Sequence, residues 1–195
     1  MLPKMIYAVA VLAFTVSLAL PQEKGAAKGP VAAPGLALTS PDFVDGGVIP
    51  DKFTQAVQGA PSPKLEWSNV PMGTQSFVLI FHDPDVAIGK NPEDVLHWMA
   101  FNIPGTATGL AGGQPTTASS SDGMVQGKNR GGNVGYMGPG NPAQNPYHHY
   151  TFELFALDTK LTLGADASRT DVLKAMEGHI LGKGVLVGRF KRSPQ

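Results

Sequence analysis

Two short apolar runs separated by a polar segment constrain the fold more than any other feature of the sequence. Residues 77–81 and 98–101 are each a continuous run of hydrophobic side chains, with the length that is typical of a buried β-strand. Pro84 ends the first strand, because proline has no N–H group to donate to a β-ladder. The chain then passes through the turn-forming residues 89–92 before the second run begins. The pattern predicts two buried strands joined by an exposed connection.

Acidic and imidazole side chains stand at the adjoining ends of these two strands. Asp83 and Asp85 follow the first strand, and His97 opens the second. If the strands pair as neighbours, these three side chains meet at one edge of the sheet. Polar residues held at strand ends are a common way to build a binding pocket on a rigid scaffold.

The composition favours a mostly β fold with many turns. Charged residues make up only 15% of the 195 residues, whereas the chain holds 24 glycines and 17 prolines. This mixture is typical of short elements joined by turns and argues against a helical bundle. The formal net charge is zero and no basic stripe is visible, so we expect no nucleic-acid partner. The absence of cysteine excludes disulfides, cysteine nucleophiles, cysteine-based zinc sites and a cysteine-linked lipid anchor.

The N-terminal residues have the pattern of a signal peptide. Lys4 precedes an apolar stretch at residues 6–20, which is shorter than the roughly 20 residues that a membrane-spanning helix needs. The small side chains of Ser17 and Ala19 predict cleavage after Ala19. We therefore expect a signal peptide at residues 1–19 and export to the periplasm or the medium, with no integral membrane segment after cleavage. An uncleaved N-terminal anchor is the alternative.

After the signal peptide, the sequence divides into a flexible linker and one domain. Residues 20–35 are small, polar and rich in Pro and Gly, so they predict the linker, and residues 36–195 predict the domain. Residues 105–140 carry eleven glycines and predict a long loop, which in a folded domain is usually functional. Further strands are predicted at residues 36–43, 48–53, 65–67 and 150–157.

One clear helix is predicted near the C-terminal end of the chain. Ser168 and Asp171 form an N-terminal capping signal, and an apolar stripe follows. The stripe consists of Val172, Met176 and Ile180, and the predicted stop signals are Gly182 and Gly184. A last short strand is predicted at residues 185–190.

A loop rich in glycine and proline precedes another strand that begins beside a histidine. The loop contains Gly138, Gly140 and Pro142, and His148 stands just before the strand. Backbone N–H groups of such a loop can converge on an oxyanion without interference from side chains. A neutral imidazole can donate one N–H to the same anion, and a neighbouring aspartate can fix its tautomer. We therefore predict a zwitterion-sized pocket, with the anion towards histidines and glycines and an amine or hydroxyl towards the two aspartates.

Two long segments resemble the signature segments of the phosphatidylethanolamine-binding protein family, most closely its bacterial Raf-kinase-inhibitor-like branch. They are HDPDV…HWMAFNIP, which starts at His82, and GYMGPGNP…HHYTFELFALD, which starts at Gly135. Residues 62–67 are also similar to the family's SPxLxW segment, and the resemblance spans about residues 36–192. Two long motifs in the right order are a specific signal. The resemblance implies a β-sandwich of two antiparallel sheets with a C-terminal helix and few short helices.

The resemblance also implies a pocket that binds phosphate-like anions, including phosphoethanolamine head groups. The family usually has Ala-Pro after the second aspartate, whereas this chain has Val86 and Ala87, so we expect a different shape for that wall. Asn141 replaces the first of two prolines, and its side chain is expected to add a polar contact. The residues that match the family's ligand site are Asp83, Asp85, His97, Trp98, Gly138, Gly140, Pro142, His148 and Tyr150.

These features predict an exported protein that binds a small anion or a phospholipid head group, without a cofactor, a bound metal or catalytic activity. One alternative is a protein-interaction inhibitor of a kinase or protease, as eukaryotic names in the family suggest. Export argues against a kinase inhibitor, because an exported protein would not encounter cytosolic kinases. The other alternative is a hydrolase or metalloenzyme that uses the same pocket. Aspartate and histidine suit zinc. However, the sequence contains no zinc-binding helix motif and no Gly-x-Ser-x-Gly elbow.

Overall fold

The computed structural model describes residues 35–89 and 92–194 of the chain. The predicted signal peptide, and all of the predicted linker except Gly35, lie outside these residues. Within the described part of the chain, no helix is both long enough and apolar enough to cross a membrane.

Nine strands in the described residues form two sheets, in agreement with the predicted mostly β fold. The strands are β1 (Ala37–Thr39), β2 (Gly47–Val48), β3 (Leu65–Ser68), β4 (Ser76–Asp83), β5 (Val95–Pro104), β6 (Gly109–Leu110), β7 (Val125–Gln126), β8 (His148–Leu157) and β9 (Ile180–Phe190). The smaller sheet has the order β1–β3–β6, and the larger has the order β2–β9–β8–β4–β5–β7. A 3₁₀ turn occupies Asp51–Phe53, and one α-helix, α1, occupies Arg169–Met176.

Strands β4 and β5 are antiparallel neighbours, so the polar residues at the end of β4 lie close to those at the beginning of β5. The register places Asp83 opposite Val95 and Phe81 opposite Trp98. Strand β8 pairs with the other side of β4, with Thr151 opposite His82. The end of β4 and the beginnings of β5 and β8 therefore meet at one edge of the larger sheet.

The larger sheet is covered on both faces, which explains the unbroken apolar run of β4. On one face, Leu79 and Phe81 belong to a core that also contains Trp67 of the smaller sheet. On the other face, Ile80 packs with Val172 of α1. Full burial of one such side chain contributes roughly 1.5–3 kcal/mol, so β4 is held firmly from both sides.

The predicted helix forms, but it is shorter than the apolar stripe suggests. Its start agrees with the prediction, because the Ser168 hydroxyl accepts the backbone N–H of Asp171, and the Asp171 carboxylate accepts the backbone N–H of Ser168 at 2.9 Å. The helix ends at Met176, and Gly178 adopts a left-handed φ of 81° that a helix cannot continue through. Ile180, which the stripe assigned to the helix, instead begins β9.

The glycines that were predicted to stop the helix lie inside β9. This strand covers Ile180–Phe190, so the predicted last strand at residues 185–190 is only its second half. A Cβ atom at Gly184 would lie 3.0 Å from the carbonyl oxygen of Leu36. Gly184 therefore permits a close approach between backbones, which is a common reason for glycine within a strand.

The first two predicted strands are much shorter in the structure. Residues 36–43 yield only β1, and residues 48–53 yield part of the two-residue β2 followed by the 3₁₀ turn. Pro41 and Pro50 follow the two strands, and neither has an N–H group with which to extend a ladder. Strand β2 runs parallel to β9, so the larger sheet is not purely antiparallel. The predicted loop at residues 105–140 contains the short strands β6 and β7.

Candidate functional site

A cavity of about 270 Å³ lies at the edge of the larger sheet where β4 ends and where β5 and β8 begin. Six of the predicted ligand-binding residues line it: Asp83, His97, Gly140, Pro142, His148 and Tyr150. The other lining residues are Gln55, Val86, Val95, Met137, Asn141 and Asn145. A carboxylate, two imidazoles and a glycine-containing loop therefore share one small pocket.

Asp83 holds the ring of His148 in one orientation. His148 Nδ1 lies 2.9 Å from Asp83 Oδ2, and the backbone N–H of Asp85 donates to Asp83 Oδ1 at 3.0 Å. The Asp83 side chain is only 4% exposed, so water competes little for its oxygens. Because a carboxylate only accepts hydrogen bonds, it selects the His148 tautomer with the proton on Nδ1. When the ring is neutral, Nε2 then carries a lone pair.

A β-bulge directs His97 into the same pocket. The register passes from the Phe81–Trp98 pair directly to the His82–Leu96 pair, so His97 is an extra residue of β5. Leu96 packs on the α1 side of the sheet, whereas Trp98 packs in the core between the sheets. The His97 ring lies on the Trp98 side, 5.3 Å from the Phe81 ring. The bulge thus places consecutive side chains on one face, which is how bulges re-aim residues at binding sites.

The surroundings of His97 favour its neutral form. Its Nδ1 lies 2.9 Å from the carbonyl oxygen of Met137, so the proton of the neutral ring is on Nδ1. Burial lowers the pKa of His97, because desolvation disfavours the imidazolium, although the Met137 carbonyl and the charge of Asp83 oppose this effect. At neutral pH, His97 Nε2 is therefore an acceptor.

Tyr150 connects the carboxylate of the pocket to the glycine-rich loop. Burial raises the pKa of Tyr150, and the neighbouring Asp83 carboxylate raises it further, so the phenol keeps its proton at physiological pH. The backbone N–H groups of Gly140 and Asn141 face the hydroxyl oxygen and partly oppose this shift. From the sequence we predict that such loop N–H groups point at a bound oxyanion, whereas in the structure these two face Tyr150.

Asn141 fastens the loop to the rest of the fold. Its Nδ2 donates to the carbonyl oxygens of Pro146 at 2.7 Å and Phe190 at 3.3 Å, and its Oδ1 accepts from Asn145 Nδ2 at 2.9 Å. Its own carbonyl accepts the backbone N–H of Arg192 at 2.9 Å. The residue is buried, so the polar contact expected from this side chain is made with the protein's own groups.

Gln55 is a pocket residue that the sequence analysis missed. Its backbone N–H donates to the carbonyl oxygen of Pro139, and its Nε2 donates to that of Gly138, both at 2.8 Å. A Cβ atom at Gly140 would lie 2.6 Å from the amide group of Gln55, so this glycine makes room for it. The two segments are 83 residues apart, and no local pattern links them.

Three predicted ligand-binding residues do not line the cavity. Trp98 is fully buried in the core, where its indole N–H donates to Gln126 Oε1 at 2.7 Å. Asp85 accepts hydrogen bonds from the backbone N–H of His149 at 2.6 Å and from its ring at 2.9 Å. Burial raises the pKa of Asp85, but these bonds outweigh it and leave the pKa below its usual value. Gly138 supplies the carbonyl acceptor described above.

A family model for "Phosphatidylethanolamine-binding protein" matches residues 39–191, which include every residue that lines the cavity. The chain belongs to this family. The predicted β-sandwich with one C-terminal helix is thereby confirmed, and the shared fold extends to solved structures of the family.

Relatives of the chain come from archaea and bacteria. A UPF0098 protein of Methanothermobacter thermautotrophicus is 44% identical over 151 residues, which cover 77% of this chain and 95% of the relative. The phosphatidylethanolamine-binding protein homolog CT736 of Chlamydia trachomatis has a TM-score of 0.71 and 32% identity, and the match covers 83% of this chain and 100% of CT736. Escherichia coli YbcL, described as a new member of the mammalian family, has a TM-score of 0.69 and 27% identity. The match covers 82% of this chain and 100% of YbcL.

A larger cavity of about 490 Å³ lies on the other face of the larger sheet, beside the start of α1. Two of its charged groups, Arg169 and Asp94, pair with each other. Both terminal nitrogens of Arg169 donate to Asp94, and His82 Nδ1 lies 2.5 Å from Asp94 Oδ2. Burial raises the pKa of Asp94, but the bonds from Arg169 and His82 outweigh it, so the pKa lies below its usual value. We interpret this cluster as an ion-pair network that ties α1 to the sheet.

The ionisable side chains of the smaller pocket are bonded to protein groups. The Asp83 carboxylate is hydrogen-bonded to the ring of His148, and the Met137 carbonyl is hydrogen-bonded to the ring of His97. Among the residues that the structure describes, no group of three or more His, Asp or Glu side chains is arranged to hold a metal ion.

Proposed function

We propose that this protein binds a small anion, phosphate or a phospho-head group such as phosphoethanolamine, in the pocket at the edge of the larger sheet. The proposal rests on two oriented imidazoles, His97 and His148, that share a cavity of about 270 Å³ with Asp83. This volume is just below the roughly 300 Å³ at which typical small-molecule pockets begin, so it suits a head group better than a whole lipid. The family's description as phosphatidylethanolamine-binding supports the same ligand class.

The pocket has complementary sides for a zwitterionic ligand. The ligand's phosphate lies against the Nε2 atoms of His97 and His148, and its ammonium or hydroxyl group lies towards the Asp83 carboxylate. The apolar side chains of Val86 and Val95 line the same cavity and suit the two carbons between phosphate and amine. The arrangement therefore favours a short phosphomonoester that carries an amine.

The groups in the pocket favour binding over catalysis. In the described part of the chain, the cavity lining contains no Ser, Thr or Cys, which are the usual nucleophiles of hydrolases. The raised pKa of Tyr150 keeps its phenol protonated and therefore poorly nucleophilic. We infer a binding protein without catalytic activity or a cofactor.

Export is part of the proposal and rests on the sequence of residues 1–19. Fractionation of expressing cells, followed by N-terminal sequencing, tests it. A mature chain that begins at Leu20 in the periplasmic or secreted fraction supports export. A cytosolic chain that retains its first residues contradicts it.

Thermal unfolding of the purified protein with phosphoethanolamine tests the binding proposal. At about 100 times its dissociation constant, a ligand stabilises the folded state by about 2.7 kcal/mol. For a domain of this size, that corresponds to a rise in Tm of roughly 5–10 °C. His97→Ala should still unfold cooperatively but should lose the rise. His179→Ala is the matched control, because this exposed histidine pairs with Asp158 outside the pocket.

Phosphoethanolamine, inorganic phosphate and glycerophosphate should be compared in the same assay. A rise with all three identifies phosphate as the recognised group, and a larger rise with phosphoethanolamine identifies a contribution of the amine. No rise with any of them contradicts the proposal, and capture of a protein partner would then test the inhibitor alternative.

A further inference from the structure

In its neutral form each imidazole of the pocket has a single N–H group, and in both rings this N–H donates a hydrogen bond to another group of the protein. His97 Nδ1 lies 2.9 Å from the Met137 carbonyl, and His148 Nδ1 lies 2.9 Å from the Asp83 carboxylate. A carbonyl and a carboxylate only accept hydrogen bonds, so each neutral ring has its proton on Nδ1 and a lone pair on Nε2. The sequence predicts a neutral imidazole that donates to the anion, but these tautomers place no proton on Nε2.

Several other donors near the pocket are directed at protein groups. The backbone N–H groups of Gly140 and Asn141 face the hydroxyl oxygen of Tyr150. The side-chain amide of Asn141 donates to Pro146 and Phe190. Of the residues that line the cavity, only the two histidines can become cationic donors, and each can donate from Nε2 only as an imidazolium.

We propose that anion binding in this pocket is coupled to proton uptake: His97 and His148 each gain a proton on Nε2 when a phosphate-type anion binds, and the pocket releases the anion as the pH rises. This inference rests on the proposed function and defines the protonation state in which that function operates. Each imidazolium keeps its Nδ1 hydrogen bond to the protein and directs the new N–H to a phosphate oxygen. Such a charge-assisted bond is stronger than one between neutral groups.

The charges around the rings are consistent with proton uptake on binding. The groups that face His97 are Asp83 and His82 of β4, Tyr150 of β8 and the carbonyl groups of Met137 and Gly138. The groups that face His148 are Asp83, Asp85 and Tyr150. Burial disfavours the charged form of His97 when no anion is bound. A bound anion supplies the negative charge that compensates for this desolvation, and Asp83 can keep its hydrogen bond to His148 Nδ1 when that ring gains a proton on Nε2.

Nitrogen NMR of the histidine side chains tests the inference directly. The protein, labelled with ¹⁵N in histidine, is measured at pH 7.5 with and without saturating phosphoethanolamine. We expect Nε2 of His97 and His148 to change from the unprotonated to the protonated chemical-shift range on binding, while His179 does not change. Because the ring itself is observed, a proton carried by the ligand's phosphate gives a different result.

Calorimetric titration with phosphoethanolamine counts the protons and measures their effect on affinity. In two buffers of different ionisation enthalpy, the difference in binding heat should correspond to uptake of up to two protons. Well above the pKa of the free rings, affinity should fall about tenfold per pH unit for each proton taken up. His97→Gln places a permanent N–H donor near the position of Nε2 and should make this pH dependence shallower. The control His179→Gln should leave it unchanged.

The outcomes separate failure of the inference from failure of the proposed function. If phosphoethanolamine binds and Nε2 stays unprotonated in both rings, proton coupling is wrong while anion binding stands. If affinity is constant between pH 6 and pH 8.5, the inference fails in the same way. If phosphoethanolamine and phosphate do not bind at any pH in this range, the proposed function itself is wrong, and proton coupling with it.

Discussion

Asp83→Asn is expected to reverse the tautomer of His148. The Asp83 Oδ1 atom accepts the backbone N–H of Asp85 at 3.0 Å, so the new amide keeps its oxygen there. Its Nδ2 group then faces His148 Nδ1, which lies 2.9 Å from the carboxylate oxygen in the wild-type protein. Two donors cannot share one proton position, so the ring must place its proton on Nε2 and accept through Nδ1. His148 would then offer an N–H to an anion without taking up a proton.

The same substitution removes a negative charge beside the ligand. Two unit charges about 6 Å apart interact by about 3 kcal/mol at an effective dielectric constant of about 20. The substitution also removes the charge-assisted hydrogen bond between the carboxylate and His148 Nδ1, which offsets part of this gain. We therefore expect a net gain of about 1–2 kcal/mol at pH 8. That gain corresponds to binding of inorganic phosphate that is roughly 5–30 times tighter. At pH 6 the difference should shrink, because the wild-type ring is protonated more readily there.

Calorimetric titration of inorganic phosphate at pH 6, 7 and 8 measures this effect. Phosphate is the right probe because it has no amine whose contact with Asp83 would also be lost. Asp158→Asn is the matched control, since Asp158 pairs with His179 outside the cavity. Circular dichroism should show that both variants remain folded. A folded Asp83→Asn protein that binds phosphate more weakly than the wild type at pH 8 would refute the tautomer argument.

Three further substitutions have definite expected results. Gly140→Ala would place a methyl group 2.6 Å from the Gln55 amide, so it should displace Gln55 and weaken phosphoethanolamine binding in calorimetry. Asp94→Asn loses the charged bond from Arg169 and should destabilise the protein by about 2 kcal/mol at pH 7 in urea unfolding. Because the pKa of Asp94 in the folded protein lies below 3.8, the difference in stability between the two proteins should disappear as the pH falls through that pKa. Trp98→Phe should cost about 1–3 kcal/mol of stability without changing ligand affinity.

Local patterns predict the parts of the fold that depend on nearby residues. The apolar runs of β4 and β5 mark strands that must be buried wherever they pair, and the capping box at Ser168 marks the helix start because both partners lie within one turn. The helix end was predicted too late, since Ile180 continues the helical spacing of Val172 and Met176. Gly178, with its left-handed φ, ends the helix before the chain reaches Ile180.

The features that decide the chemistry of the pocket depend on contacts between distant segments. The bulge that exposes His97 to the cavity exists only in the pairing of β5 with β4. Its tautomer depends on a carbonyl at Met137, 40 residues away, which every residue type possesses and no side-chain pattern marks. The sequence therefore predicts that His97 lies near Asp83 but does not indicate which ring nitrogen faces the ligand.

Ligand preference in this chain must lie with residues other than Asn141. Its side-chain amide forms hydrogen bonds with Pro146, Phe190 and Asn145, so Asn141 holds the loop in place much as a rigid proline would. Gln55 and Asn145 differ, because each uses its side-chain nitrogen for a bond to the protein and keeps an amide oxygen that accepts hydrogen bonds. Both line the cavity, so they favour a ligand that brings donors, such as a protonated amine, beside the phosphate held by the histidines.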